Sequence, residues 1–382
     1  MKICILYPSF LGETGGAGVN SYLRNLRRHL EVRGHEVYII SARVKENEEK
    51  RFYYAPSLYI WPLRAFTGNL IFTFSSFFKL IKINRKEKLD LIYTIGTSGA
   101  LGFIIKKLLK KPIVNHLIYP WQFKLHNIQN KIADLKQYLW FLPLIPLEKM
   151  SLVGVDKIIT LTEDHKKAIV KYDHVDSEKI VVIPNGIDIP ENTKAISDAE
   201  PVPIHRNSEE FIYLFVGRVE KEKGIRELIK AFNLLECNGK KLVIVGWVSE
   251  KIKHLYRRNN ILFTGYISDR ATLGSIYQNS DVFVLPTHWE GQSMAVLEAM
   301  SYGLPVIASD IPGMSSLIEN EKNGFLVPPR DVEKLAEKME LITKVDYKKM
   351  GEYSREKAER EFSWDKVADK TINVFEEVIN KQ

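Results

Sequence analysis

Two carboxylates in the second half of the chain have the residue types and the spacing to hold a molecule with paired hydroxyl groups. Glu290 and Glu298 flank a seven-residue segment in the stretch EGQSMAVLE. Carboxylates accept hydrogen bonds from vicinal diols, and the amide groups of a helix that opens between them can bind an anion or a hydroxyl. The residues expected to supply this opening are Gly291, Gln292, Ser293, Met294 and Ala295. The alternative is that Glu298 only pairs with a neighbour on its own helix.

Two cations lie in a short loop between an apolar run and an amphipathic segment. Gly217 and Arg218 follow the run FIYLFV, and Lys223 and Gly224 precede IRELIKAFNLL. Cations beside the free N–H groups of a helix N-terminus suit a diphosphate. A lysine-rich loop is otherwise typical of a solvated surface, so the loop alone leaves both interpretations open.

A glycine loop follows the first apolar run of the chain. Gly15 and Gly16 lie within GETGGAG, and these glycines would let the backbone approach a phosphate closely. The dinucleotide fingerprint G-x-G-x-x-G is absent, and the segment 41–43 after the second apolar run has no acid to hold a ribose. The Walker pattern is also absent. The sequence therefore disfavours a dehydrogenase and a P-loop enzyme.

Short apolar runs alternate with amphipathic stretches along the whole chain, which predicts repeated βα units and parallel sheets. The expected strands are 2–7, 35–40, 90–94, 112–118, 156–161, 179–184, 211–217, 241–246, 261–265, 281–286 and 304–309. The alternation restarts after residue 210, which indicates two doubly wound sheets. The glycine loop, the loop that carries Arg218 and Lys223 (the cation loop) and residues 290–298 (the carboxylate segment) each follow a predicted strand. Open α/β sheets bind ligands at this end of their strands.

The expected domain organisation follows from this pattern. Residues 1–187 form an N-terminal Rossmann-like domain on the acceptor side, and 188–209, polar with three prolines, form a linker. Residues 210–362 form a second Rossmann-like domain that binds the nucleotide. Residues 363–382 form an amphipathic helix expected to pack back toward the N-terminal domain. At 382 residues, the chain is long enough for each domain to have its own core.

The cysteine content and the N-terminal residues indicate in which cellular compartment the protein is expected. The chain has two cysteines, Cys4 and Cys237, each within an apolar stretch, so neither a disulfide framework nor a zinc site is expected. The N-terminal apolar run is too short for a signal peptide, which favours a cytoplasmic protein.

Positive charge is concentrated in one stretch. Residues 51–150 hold 15 Lys and Arg against 4 Asp and Glu, in a chain of net charge +8. Aromatic residues are interleaved with these cations, a pattern that suits peripheral contact with an anionic membrane on its cytoplasmic face. A core helix with a solvated basic end is the alternative. No apolar run is long enough to span a bilayer, because Lys79 and Lys82 interrupt the best candidate.

Together these features resemble the family-4 retaining glycosyltransferases of the GT-B fold, along nearly the whole chain. The resemblance implies two Rossmann-like α/β domains that face each other across a cleft. It also includes a histidine, His116, placed after the predicted strand PIVNHL. The matching segments are Gly15-Gly16, His116, Pro184-Asn185-Gly186-Ile187-Asp188, Gly217-Arg218, Lys223-Gly224 and the pair Glu290 and Glu298.

The resemblance also implies a role for each site residue. Arg218 and Lys223 would grip the donor diphosphate, Glu290 the donor-sugar hydroxyls, and Glu298 the ribose. The backbone near Gly265, Tyr266 and Ile267 would face the base, His116 would face the transferred sugar, and Gly16 would bring an amide to the diphosphate. On sequence alone, a lone histidine after a strand is more typical of the core.

We therefore expect a hexosyltransferase that uses a nucleotide-diphosphate sugar and acts on a glycan or lipid-linked acceptor in polysaccharide or glycolipid biosynthesis. Two fixed cations can stabilise the departing diphosphate, and the chain has no Asp-x-Asp, so neither a metal nor another cofactor is expected. Retention is implied by the resemblance. The alternatives are a nucleotide-sugar epimerase, a sugar phosphorylase, or a non-catalytic binder of membrane or nucleic acid; no RNA-binding motif is present, which disfavours a nucleic-acid partner.

Overall fold

The chain divides into two compact units. In a computed structural model, the described residues are 1–9, 18–43, 51–58, 64–118, 120, 142–191, 210–236, 239–249, 253, 256 and 258–381. The N-terminal unit comprises Met1–Gly186 together with Trp364–Gln382, and the C-terminal unit comprises Ile187–Ser363. Residues 192–209 of the expected linker lie outside the described residues.

The N-terminal unit contains a seven-stranded sheet in the order β3-β2-β1-β4-β5-β6-β7, with every pairing parallel. Parallel neighbours need a crossover connection, and helices supply most of these. The strands are β1 Lys2–Leu6, β2 Glu36–Ser41, β3 Phe52–Tyr54, β4 Leu91–Ile95, β5 Ile113–Leu117, β6 Lys157–Thr160 and β7 Ile180–Val182. The helices are α1 Val19–Val32, α2 Arg64–Glu87, α3 Gly102–Leu109, α4 Leu144–Leu152 and α5 Glu163–Asp173.

The C-terminal unit repeats this architecture with a six-stranded parallel sheet in the order β10-β9-β8-β11-β12-β13. Its strands are β8 Phe211–Val216, β9 Lys240–Val245, β10 Ile261–Gly265, β11 Val282–Leu285, β12 Val306–Ser309 and β13 Gly324–Val327. Its helices are α6 Ile225–Leu234, α7 Arg270–Gln278, α8 Met294–Ser301, α9 Pro312–Ser315, α10 Val332–Ile342 and α11 Tyr347–Lys357. The predicted α/β class, with two doubly wound parallel sheets, is confirmed.

The inner strands of each sheet, such as β4, β5 and β11, are buried on both faces, as expected where helices cover both sides of a sheet, whereas the edge strands β3, β7 and β10 are partly exposed. In β1, Ile3 and Ile5 pack into one apolar cluster, whereas Cys4 and Leu6 pack into the cluster on the opposite face. This is the two-residue period of a strand. The apolar runs in the sequence are therefore continuous rather than alternating.

The last helix, α12 Trp364–Asn380, belongs to the N-terminal unit and packs against α1. Trp364 lies against Gly186, where a methyl group would collide with the indole. Arg33, at the end of α1, donates hydrogen bonds to Asp365 and Asp369 at 2.9 and 3.0 Å. These contacts attach the C-terminal helix to the N-terminal unit.

All the strands expected from the sequence are present, with ends within two residues of the expected positions. Strands β3 and β13, one at an edge of each sheet, were not predicted. In the described part of the chain, no helix is long and apolar enough to span a bilayer.

Candidate active site

The sheet of the C-terminal unit changes direction between β8 and β11. From β8 the chain proceeds outward to β9 and β10, and from β11 it proceeds to β12 and β13 on the other side. The loops after β8 and β11 therefore diverge from the point where open α/β sheets bind ligands. The cation loop follows β8 and the carboxylate segment follows β11, so the topology brings them together.

Backbone contacts fix these two loops against each other. The carbonyl oxygen of Glu222 accepts hydrogen bonds from His288 N at 2.8 Å and from Thr287 Oγ1 at 3.1 Å. Gly224 has a positive φ of 70° and lies so close to Pro286 that a methyl group would collide with the proline carbonyl oxygen. Glycine is therefore required at the start of α6 both for backbone conformation and for close approach.

A side-chain contact also links the base of α6 to the loop after β11. His288 Nε2 lies 3.2 Å from Glu227 Oε1. This hydrogen bond to His288 lowers the pKa of the Glu227 carboxyl. An ionised carboxylate in the first turn is also favourable for the helix dipole.

The two candidate cations have different environments. Lys223, in the single turn 221–223 before α6, forms an ion pair with Glu290, and both side chains are largely buried. Arg218 is 72% exposed and pairs with Glu220 at 3.1 Å. Arg218 is therefore accessible to a ligand, whereas Lys223 is held by the carboxylate that the resemblance assigns to the sugar.

Helix α9 also packs against the carboxylate segment. Gly313, in α9, is buried against the backbone of Glu290 and Gly291, and a methyl group there would collide with both carbonyl oxygens. The segment is therefore fixed on one side by the Lys223 loop and on the other by α9.

Glu298 lies on α8, close to its beginning. The helix starts at Met294 with Ser293 as its N-cap, and Ser293 Oγ accepts from Val296 N. Glu298 is thus little more than one turn into the helix. The helix begins three residues later than Gly291, where the sequence predicted its opening. Gln292 and Ser293 are buried, while Met294 and Ala295 are partly exposed.

Both carboxylate oxygens of Glu298 are held by α7. Arg270 Nη1 donates to Oε1 at 2.8 Å, and Tyr277 Oη donates to Oε2 at 3.0 Å. Burial and then the charge of Glu298 raise the pKa of Tyr277 well above its usual range, so the phenol keeps the proton that it donates. The tyrosine ring is stacked on Tyr302, with centroids 5.3 Å apart.

The segment expected to face the base follows β10. Gly265 has a φ of 79°, and Tyr266, the next residue, is 77% exposed. Ile267 is partly buried against the core of the unit. Gly217, at the end of β8, donates from its N–H to Val245 O at 3.0 Å.

His116 lies within β5, inside the predicted strand 112–118 and not after it, and its side chain is 0% exposed. Its Nδ1 is 2.6 Å from Tyr93 Oη, and burial lowers the pKa of the imidazole to about 3. The ring packs edge-on against Tyr22 at 5.0 Å. These contacts make it a residue of the core of the N-terminal unit, and its role toward a sugar stays a prediction.

Two expected site residues, Gly15 and Gly16, lie outside the described residues. In the ranges that the structure describes, no group of three or more His, Cys, Asp or Glu side chains is arranged to hold a metal ion. The structure also reveals partners that sequence reasoning missed, namely Arg270, Tyr277 and Gly313. No sequence signal marks them, because they lie on α7 and α9, outside the segment that they contact.

Two family models together match most of the chain. The model for glycosyltransferase family 4 matches residues 16–191, and the model for glycosyl transferases group 1 matches residues 197–357. These ranges fall largely within the N-terminal and C-terminal units respectively.

Curated relatives extend this similarity. The chain is 31% identical over 291 residues to UDP-Gal:alpha-D-GlcNAc-diphosphoundecaprenol alpha-1,3-galactosyltransferase of Escherichia coli, covering 72% of each chain. It is 26% identical over 359 residues to the capsular polysaccharide biosynthesis glycosyltransferase CapM of Staphylococcus aureus, covering 89% of this chain and 90% of the relative.

Solved structures show the same fold. Sucrose-phosphate synthase of Thermosynechococcus elongatus matches with a TM-score of 0.80 and 21% identity over the whole of both chains. HepE of Anabaena, solved in complex with UDP, matches with a TM-score of 0.74 and 18% identity over 99% of this chain and all of that one. The fold, the two family models and the galactosyltransferase relative show that this chain is a GT-B enzyme belonging to the group 1 glycosyltransferases of family 4.

Proposed function

We propose that this glycosyltransferase moves a hexose from a uridine diphosphate sugar to a lipid-linked acceptor, with retention of configuration and without a metal ion or other cofactor. The observation that carries the proposal is the ion pair of Lys223 with Glu290, in a loop that also holds the exposed Arg218, at the switch point of the C-terminal sheet. This arrangement offers cations for a diphosphate and a carboxylate for sugar hydroxyls.

The proposed chemistry follows from where charge develops. Negative charge accumulates on the departing diphosphate as the bond to the sugar breaks, so cations placed there stabilise the transition state. Arg218 is accessible enough to bind the diphosphate directly. Lys223 would exchange part of its interaction with Glu290 for the diphosphate, which leaves Glu290 free to accept a hydrogen bond from a sugar hydroxyl.

The donor and the acceptor are inferred from the relatives. The Escherichia coli relative uses UDP-Gal and a diphosphoundecaprenol-linked sugar by its name, and HepE has been solved with UDP-glucose. Retention rests on the family resemblance: the acceptor would attack on the face that the diphosphate leaves, and a donor phosphate oxygen would take the acceptor proton.

A transfer assay tests this proposal. The protein is incubated with UDP-, GDP- and ADP-hexoses and a polyprenyl-diphosphate N-acetylglucosamine acceptor, and products are identified by mass spectrometry and by NMR at the anomeric carbon. We expect a hexosylated lipid with the donor's configuration, formed equally well in EDTA. Epimerised or phosphorolysed donor without transfer would favour the rival activities, and loss of transfer in EDTA would contradict metal independence.

A lipid-linked acceptor also requires the enzyme to reach a membrane surface, and α2 offers a surface suited to this. We define the α2 face as Phe74, Phe78, Lys82, Arg85 and Lys86, which recur at helical spacing and are all exposed. Its three cations and Phe78 line one surface pocket together with Ile81.

Exposed apolar side chains also occur on the two helices that contact α2. Helices α2, α3 and α4 contact one another. The large apolar side chains exposed on α3 and at α4 are Phe103, Ile104, Leu108, Met150 and Val153. Aromatic and aliphatic groups next to cations match an anionic bilayer, because the apolar groups enter the interface while the cations contact lipid headgroups.

Co-sedimentation with vesicles of phosphatidylcholine and phosphatidylglycerol tests this contact. We expect binding that weakens at high salt and that falls about tenfold or more in Lys82→Glu/Arg85→Glu, given about 1 kcal/mol for each cation near the surface. The matched control is Lys348→Glu/Lys349→Glu, which changes the same charge on the C-terminal unit. Equal binding by both double variants would contradict a role for the α2 face.

A further inference from the structure

Three neighbouring strands of the C-terminal sheet end side by side. Gly246 N donates to Gly265 O at 2.9 Å, which joins the ends of β9 and β10. A methyl group on Gly246 would collide with the carbonyl oxygen of Gly217, so the ends of β9 and β8 are equally close. Adjacent strands lie about 5 Å apart, so the residues that follow these three strands are neighbours along one edge of the sheet.

The residues that follow these glycines are all highly exposed. Arg218 is 72%, Trp247 74% and Tyr266 77% exposed. In the described part of the C-terminal unit, the only other large apolar side chain with such exposure is Leu234, at the end of α6. The two exposed aromatic rings therefore occur on adjacent strand ends, at the sheet edge where ligands bind.

Leaving two large aromatic side chains in water forgoes the stabilisation that their burial would give. Their position argues for a ligand with a flat π-face as the group that covers them. A nucleobase has such a face, and stacking on an aromatic side chain is favourable for every base. The order β8, β9, β10 places the cation first and the two rings next, which is the order of diphosphate and base along a donor nucleotide.

We propose that Trp247 forms a stacking surface for the nucleobase of the donor, next to Tyr266. This inference rests on the proposed use of a nucleotide sugar and adds to it a residue that determines affinity for the base. Trp247 supplies the larger ring and follows β9, the strand that lies between β8 and β10, which precede Arg218 and Tyr266 respectively. The base is then held by aromatic contact in addition to any backbone hydrogen bonds near Tyr266.

The test measures binding of UDP and of inorganic pyrophosphate by calorimetry and by tryptophan fluorescence. We expect Trp247→Ala to weaken UDP binding about 5- to 100-fold, the range found for losing one stacked aromatic partner. Pyrophosphate has no base, so its affinity should stay within twofold of the wild-type value. Trp247→Phe should keep most of the UDP affinity and lose the part of the fluorescence change that comes from Trp247.

The matched control is Leu234→Ala, which removes another highly exposed apolar side chain, at the end of α6. We expect it to bind UDP as the wild-type protein does. Wild-type UDP affinity in Trp247→Ala, or an equal loss for UDP and pyrophosphate, would overturn the stacking role while leaving the proposed function intact. Failure of the wild-type protein to bind any of UDP, GDP and ADP would overturn both.

Discussion

Tyr277 donates a hydrogen bond from its buried phenol to Glu298 Oε2 at 3.0 Å, across two helices of the C-terminal unit. The other carboxylate oxygen is held by Arg270, so the orientation of Glu298 is determined by α7 rather than by its own helix. The family resemblance implies that Glu298 binds the ribose, and a carboxylate held in this way keeps a fixed direction for accepting hydrogen bonds from a diol.

We predict that Tyr277→Phe weakens UDP binding about tenfold, because a hydrogen bond to a charged group contributes roughly 1.5–3 kcal/mol. The preference for UDP over 2′-deoxy-UDP should shrink as well, since a misdirected Glu298 no longer distinguishes the ribose hydroxyls. Calorimetric titration with both nucleotides measures the two effects.

Tyr302→Phe is the control for this variant, because Tyr302 stacks on Tyr277 and its hydroxyl lies near Gly274. It should retain the preference for the ribose. An unchanged preference in Tyr277→Phe would rule out the positioning role, even if the variant were less stable.

The second prediction concerns the cation loop. Arg218→Ala and Lys223→Ala should each lower turnover by about 10²–10³-fold, the cost of removing one group that stabilises a developing negative charge. Lys221→Ala, at an exposed lysine of the same loop, should stay near wild-type activity. Initial rates in the transfer assay provide the measurement.

Lys223 needs an additional check because its loss leaves Glu290 without the cation that it pairs with. Thermal melts will show whether lower turnover reflects unfolding, and Lys223→Arg should restore part of the activity. Full turnover in both alanine variants would eliminate the diphosphate assignment.

The third prediction concerns close packing behind Glu290. Gly313→Ala places a methyl group against the carbonyl oxygens of Glu290 and Gly291, so the carboxylate segment must move. We expect a loss of about 1–3 kcal/mol in the free energy of unfolding and a larger KM for the donor. Ser315→Ala, at an exposed residue of α9, should change neither quantity. Wild-type stability and KM in Gly313→Ala would show that the segment can shift without cost.

Much of the fold was predictable, because buried parallel strands appear as apolar runs separated by amphipathic segments. Strands such as β8 and β11 consist of apolar and aromatic residues, and their predicted ends lie within two residues of the observed ones. The carboxylate pair and the cations could be identified by their location after these strands. Strand β3 could not, since its three residues FYY do not belong to a longer apolar run, whereas the equally short edge strand β7 lies within the apolar run IVVIP.

The residues that contact Glu298 could not be predicted from the sequence, for a physical reason. Tyr277 and Arg270 are 21 and 28 residues from Glu298 and meet it only because α7 packs beside α8. The environment of His116 was also ambiguous in the sequence, for a different reason. A histidine near the end of an apolar run is compatible with a strand end or with the interior, and only the tertiary structure places its ring beside Tyr93.

The last prediction uses the buried state of His116. Its folded pKa of about 3 is far below the usual value of 6.5 because burial disfavours the charged imidazole. Above about pH 6.5, both the folded and the unfolded states are neutral at this residue, so its contribution to stability is complete. As the pH falls from 6.5 toward 3, only the unfolded state binds the proton, and the free energy of unfolding decreases by up to about 1.4 kcal/mol for each pH unit.

Chemical denaturation at pH 7.5, 6.5 and 5 measures this contribution. His116→Leu should be less stable at pH 7.5, because Tyr93 Oη loses its 2.6 Å partner, and should also lose less stability on acidification than the wild-type protein. Part of the acid sensitivity will remain, since burial also lowers the pKa of His165, to about 4. His174→Asn removes an exposed histidine and should keep the wild-type slope. If His116→Leu lost stability with pH as steeply as the wild-type protein does, His116 would have to be protonated or accessible in the folded state.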